Sequence, residues 1–393
     1  MLARMTPRRR DLPLPLQNAS FAPDDLRARG RSAERARRAD IDHPFHGVSS
    51  HGIDLSDRVE RAQALTQRRD MPPFAFSHLT GAMLLGLPLP SFVERGALQR
   101  NALQITVAHP ARAPRLAGVD AHAFRHPPRA VRHVRLVAAG SGELHMLPLL
   151  CDDWLAVSLA TQLGLDDLVA IFDALRYRAS ADHDSSARWA SAGNEATAAA
   201  ATAGEAAGEA AIAAGRMLTA DPRSADDGVG QVSAASRLAN PFDRLDFTEA
   251  FTPGRRGARR ARQAFALSRA GVRSRPETLL RLLITRAGLP EPVVGHTIAE
   301  AGWAATPDLA WPAYSVLLEY EGDHHRTSAR QFRHDIRRFE RYDDCGWSAL
   351  RVTKHDLFSE TSEVIARAES RLRRSGWAPP RAWRPRPVPP FRP

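Results

Sequence analysis

The chain has 393 residues, enough for two or three domains with buried cores. No stretch approaches the roughly 20 consecutive apolar residues of a membrane span, and two cysteines, Cys151 and Cys345, exclude a disulfide framework or a thiolate zinc site. Lys plus Arg number 55 against 44 Asp plus Glu, a net charge of +11 carried almost entirely by Arg, which favours polyanion partners and bidentate phosphate contacts.

Residues 1–42 carry clusters such as Arg8-Arg9-Arg10 and Arg35-Ala36-Arg37-Arg38 with Pro and no apolar period, and read as a disordered basic arm. Pro13 and Pro15 interrupt any apolar run there, so a secretory signal core is missing and a cytoplasmic protein is expected. From residue 43 the pattern changes. Ser77 is a suitable N-cap for a short helix carrying Leu79, Ala82, Met83 and Leu85, and Gly86, Pro88 and Pro90 close it. Residues 103–107 and 131–137 read as strands. Residues 147–175 read as a helical pair, with Trp154, Leu155, Leu159, Leu163, Leu168 and Phe172 at three-and-four spacing, ending a module of residues 43–178. Residues 179–272 are Ala-rich and then basic (Arg255, Arg256, Arg259, Arg260, Arg262), and read as a linker.

The span 273–377 reads as helix, strand, strand, helix, strand, helix, before a Pro/Arg-rich tail at 378–393 that is expected to be extended or disordered. Pro276 and Glu277 open an amphipathic helix with Leu279, Leu280, Leu283 and Ile284 on its apolar side. Asp308 precedes one strand. The apolar run Val316-Leu317-Leu318 stops at Glu319-Tyr320-Glu321-Gly322. Asp308 and Glu319 lie eleven positions apart, a spacing that fits adjacent strands joined by a tight turn and places the two carboxylates side by side. Hydrolysis of a phosphodiester needs a nucleophilic water, shielding of phosphate charge and support for the leaving oxygen, which hard divalent metals on carboxylates supply. Glu277 on the preceding helix offers a third carboxylate.

Ser274 to Glu277, Pro307-Asp308, Glu319 to His325, Asp335 to Arg338 and Gly346 to Thr353 together resemble an actinobacterial domain family of unknown function. That family is related to the very-short-patch-repair mismatch endonucleases and to the wider PD-(D/E)XK, or restriction-endonuclease-like, nucleases. The resemblance covers about a hundred residues. It implies an α/β domain with a mixed central sheet flanked by helices, and metal binding by Asp308, Glu319 and Glu277 with Mg2+ or Mn2+. Glu321 stands where the superfamily has a lysine, and His324 or His325 takes over phosphate contact or proton transfer. Asp335 and Arg338 form either a surface pair on one helix or a support for the site, and Arg351 lies on the last strand.

Phe76 to Ala82, Gly86 to Pro90 and Leu165 to Val169 resemble, more loosely, abortive-infection-type antitoxins of toxin–antitoxin systems, which implies a winged-helix-like start to a smaller α+β module. The sequence thus predicts a cytoplasmic, metal-dependent endonuclease that cuts DNA in repair or phage defence, without a membrane partner. A catalytically inactive, antitoxin-like DNA-binding regulator on a nuclease fold is the alternative.

Overall fold

The computed structural model describes residues 12–184, 247, 249–300, 302–322 and 329–393; most of the Ala-rich segment, together with His324 and His325, lies outside them. Contacts divide the described chain into two units, one built from residues 12–86 and 96–155, the other from 87–95, 156–184 and the described residues from 247 onward. Each is a mixture of helices and mixed sheets.

The first unit corrects the expectation of a disordered arm. Leu12, Leu16, Phe21, Leu26, Ala36 and Ile41 are buried together. Strand β1 (Ala19–Phe21) pairs with β3 (Val48–His51), which also pairs with β2 (Asp42–Phe45). Helix α1 (Pro23–Ala28) opens on a proline, and Asp25 accepts the Ala22 N–H at 2.9 Å. The apolar residues fall at irregular spacing because they belong to a strand, a helical turn and loops in succession, so no single period reveals them. Arg35 meanwhile pairs with Asp40 at 2.7 Å.

The larger sheet of this unit runs β6-β5-β4-β8-β7, formed by Val119–Phe124, Leu103–Ala108, Phe74–Phe76, Leu144–Leu150 and Val131–Val137. Helices α2 (Arg58–Thr66) and α3 (His78–Leu84) pack near it, and α4 spans Ser91–Arg100. Five strands exceed the small wing that a winged-helix start implies. Residues 147–150, expected to open a helix, complete β8 instead; helix α5 (Asp152–Leu159) begins only after Cys151. A continuous Leu-Pro-Leu-Leu run suits a buried strand as well as a helix.

In the second unit α6 (Leu165–Asp184) packs on α7 (Ala258–Leu267) and α8 (Arg275–Arg286). This corrects the boundary at residue 178: α6 belongs with the C-terminal helices. Asp173, buried on α6, accepts from Thr278 Oγ1 at 2.8 Å, from the Arg269 N–H at 2.6 Å and from Arg281 Nη2 at 3.2 Å. Asp167 pairs with Arg275 at 2.9 Å, and Asp166 with Arg286. The arginine stripe is likewise partly structural. Ala258, Ala261 and Ala264 bury one side of α7, while Arg260 Nη1 donates to the carbonyls of Ala160 and Leu163, both at 2.9 Å. Arg262 holds the Phe251 carbonyl at 2.8 Å.

The sheet of this unit has the order β14-β13-β12-β9, made of Ser348–Thr353, Val316–Glu321, Leu309–Trp311 and Val293–Val294. Strand β13 is antiparallel to β12 and parallel to β14. Alternation sorts the side chains onto two faces. Leu309, Trp311, Val316, Leu318, Leu350 and Val352 share a core with α8, α10 (Lys354–Ser359) and α11 (Thr361–Arg374). Ala310 and Leu317 instead meet Tyr342 of α9 (Ala329–Asp344) and Ile298 of the hairpin β10–β11 (Ile298–Glu300, Trp303–Ala305). The tail, expected to be extended or disordered, has neither helix nor strand and is fastened to the unit. Val388 is buried, its carbonyl accepts from Thr361 Oγ1 at 2.7 Å, and the Arg386 N–H donates to the Ala287 carbonyl at 3.0 Å.

Candidate acidic site

The antiparallel register Leu309↔Leu318 sets Asp308 beside Glu319 across β12 and β13, on the face covered by α9. The Tyr320 N–H donates to Asp308 Oδ2 at 2.7 Å, which anchors this carboxylate against the strand that carries Glu319. The adjacency expected from the sequence is therefore present.

Glu277 approaches Asp308 from α8. Ser274 caps the helix, and its hydroxyl donates to Glu277 Oε1 at 2.9 Å while the Arg273 N–H donates to Oε2 at 2.9 Å. Glu277 and Asp308 line one narrow recess with Gly271, Arg273, Gly295 and Thr306. Burial, followed by the Asp308 charge, pushes Glu277 up to about 8, against the pull of its two hydrogen bonds.

Glu319 has a different shell. Its Oε1 accepts from the Tyr342 hydroxyl at 2.7 Å and from Arg338 Nη2 at 2.5 Å, and Arg338 Nε in turn donates to the Tyr342 oxygen at 3.0 Å. Burial and then Asp308 push Glu319 up to about 7, with Arg338 and Tyr342 working in the other direction. Asp308 thus bears on both glutamates, and α9 brings a guanidinium to the far side of Glu319.

Of the other residues singled out in the sequence, Glu321 lies two positions beyond Glu319 on the same face, half-buried and in register with Thr353 of β14. Arg351 is in register with Glu319, and its guanidinium lies 3.7 Å from the centre of the Phe339 ring. Arg338 is committed to Glu319, so it supports the site and does not form merely a surface pair on its own helix. His324 and His325 lie outside the described residues. Sequence reasoning did not single out Tyr342. The signal available was its spacing of four from Arg338, which stacks the two polar ends over one spot.

The donor set suits a hard cation: three carboxylates, two of them buried and pushed up by a third. Among the described residues no group of three or more His, Cys, Asp or Glu side chains stands close enough to be a ready-made metal ligand cluster. Glu277 and Asp308 fit a divalent ion best because they share a recess, and the two donors to the Glu277 carboxylate are a hydroxyl and a backbone N–H, not a guanidinium. Glu319 would have to share its Oε1 with Arg338.

No family model matches this chain. Two uncharacterized proteins of Mycobacterium tuberculosis, one from strain CDC 1551 and one from strain H37Rv, are similar to it, each 27% identical over 126 residues. The match covers 32% of this chain and 46% of either relative, so the chain spans about half the length of the curated relatives it matches. Among the described residues no helix is long and apolar enough to cross a membrane.

Proposed function

We propose that the C-terminal unit is a restriction-endonuclease-like domain that hydrolyses DNA phosphodiester bonds with Mg2+ or Mn2+. The observation that carries this reading is the placement of Asp308 beside Glu319 on one sheet face and beside Glu277 in one recess. Five strands, β9 to β13, separate α8 from α9, and β14 then runs parallel to β13; a mixed sheet with helices around it supports the reading. Asp308 and Glu277 would hold the cation, with Glu319 as a further ligand. When bound, the cation supplies water activation and neutralises phosphate charge.

The chain's own groups do the rest. Ser274 and the Arg273 N–H fix the rotamer of Glu277, and the Tyr320 N–H fixes Asp308. Arg338 supplies a positive charge on this face although Glu321 stands where the superfamily has a lysine, and Tyr342 aims that guanidinium. Arg351, one strand away and in register with Glu319, would meet a backbone phosphate.

The test is incubation of the purified protein with plasmid, single-stranded and mismatched DNA, with and without manganese. Metal-dependent cutting that falls at least about 100-fold in both Asp308→Ala and Glu319→Ala supports the reading. A second reading, a DNA-binding regulator of antitoxin type on an inactive nuclease fold, is favoured by one observation: Arg338 and Tyr342 already occupy Glu319 Oε1. Tight DNA binding with no cutting of any of these substrates selects it.

A further inference from the structure

The C-terminal tail carries a motif that the acidic site does not use. Residues 385–393 contain five prolines, Pro385, Pro387, Pro389, Pro390 and Pro393. Proline fixes its own φ at about −65° and keeps the residue before it out of the helical region, so this stretch follows a polyproline II course of about three residues per turn. Burial repeats with that period. Pro385, Val388 and Phe391 face the unit, half-buried, buried and half-buried in turn, and Val388 and Phe391 join its core. Arg384, Pro387 and Pro390 form an exposed ridge, and Arg386, Pro389 and Arg392 a second one.

The fold holds this course in place. Thr361 Oγ1 donates to the Val388 carbonyl at 2.7 Å, the Arg386 N–H donates to the Ala287 carbonyl at 3.0 Å, and Arg275 Nη2 donates to the Arg392 carbonyl at 2.6 Å. Trp383, just before the ridge, meets Trp377 edge-on with ring centres 4.9 Å apart. None of these anchors falls on Pro387 or Pro390, which have no N–H to be satisfied. Arg384 is exposed and donates, among the described residues, only to carbonyl oxygens: that of Trp383 at 2.7 Å and that of Arg381 at 3.3 Å. Its positive charge therefore meets no carboxylate there.

We propose that the ridge of Arg384, Pro387 and Pro390 docks a partner protein whose groove is lined by aromatic rings and flanked by acidic side chains. Such a groove takes proline rings spaced one polyproline turn apart, and the arginine at the end of the ridge meets the acids. Because the unit already orders the tail, binding removes little further chain freedom. Nucleic acid suits the ridge less well, since proline offers a phosphate no donor.

Calorimetric titration of the full chain with an isolated Src-homology-3 domain, whose groove has this chemistry, tests the proposal. The expected result is one probe per chain with a Kd below about 1 mM. Arg384→Glu and the double variant Pro387→Ala/Pro390→Ala each weaken binding about tenfold, and Tm stays within about 3 °C because all three side chains are exposed. Val388→Asp, which detaches the tail, weakens it as well. No binding at millimolar concentration overturns the proposal. Affinity unchanged in the double proline variant also overturns it, by reducing the contact to charge attraction. Tighter binding in Val388→Asp overturns the docked ridge in favour of a free tail, and displacement of the probe by duplex DNA overturns it in favour of nucleic acid. None of these outcomes bears on metal binding or DNA cutting by the acidic site.

Discussion

Two sets of buried acids in the C-terminal unit have opposite surroundings. Asp173 on α6 is 1% exposed and faces cations and donors: Arg281, Thr278 and the Arg269 N–H. Glu277, 7% exposed, has two donors, and the larger of the charges acting on it is Asp308, another acid, ahead of Arg273. The first arrangement joins two helices and is complete as it stands. The second sets one acid beside another away from water, which raises the cost of ionising Glu277. Burial is common to Asp173 and Glu277; the sign of the neighbouring charge is what differs between them.

The largest effect expected is on the structural pair. Arg281→Ala leaves Asp173 buried without its cation and costs about 3–5 kcal/mol in a denaturant melt. A loss below about 1 kcal/mol would erase the distinction between the two sets.

A buried base extends the comparison to the first unit. His78 stacks on His122 with ring centres 4.1 Å apart, and burial first, then His122, lowers its pKa from 6.5 to about 3. Its neutral form is the folded one, so its contribution is intact above pH 6.5 and is lost as pH falls toward 3. Between pH 6.5 and about 5 this amounts to about 2 kcal/mol, which His78→Gln removes from the pH dependence of unfolding. An unchanged acid profile in that variant would place the lability elsewhere.

Asp308→Asn is the sharper probe because it has the opposite sign. The amide oxygen can still accept from the Tyr320 N–H, while the charge that burdens Glu277 and Glu319 disappears. Stability rises by about 1 kcal/mol, and under the proposed function metal-dependent cutting would be lost, the trade-off expected of a strained functional group. A destabilised Asp308→Asn would class Asp308 with Asp173. The smallest effect belongs to Ser274→Ala, which removes a cap and one hydrogen bond to Glu277 and costs about 0.5 kcal/mol.

The second unit was readable where local rules act. Ser274, Pro276 and Glu277 announce α8, and Gly288 follows it with φ of 84°. The eleven-residue spacing gave the adjacency of Asp308 and Glu319 because an antiparallel pair with a short connection leaves few other registers. The partners of the acids were not readable, since Arg338 reaches Glu319 through tertiary packing of α9 on the sheet. Nor was the placement of α6. Its apolar stripe is the same whether it faces the preceding sheet or α8, and Asp167 and Asp173 decide the matter only once Arg275 and Arg281 are opposite them. The fold of residues 12–42 escaped for a third reason: arginines dominate the composition while six scattered apolar side chains make the core.

The docked tail has a practical bearing on any attempt to handle the acidic unit alone. A fragment cut at Trp377, where the sequence suggests the domain ends, would lose the segment that accepts from Thr361 and donates to Ala287. It would also lose the Arg392 carbonyl, which accepts from Arg275 Nη2 at 2.6 Å, two residues before Glu277. The expression boundary that preserves the candidate ligand runs through Pro393, and a shorter fragment that fails to bind metal would report a loosened buckle at the helix start, not the chemistry of the carboxylates.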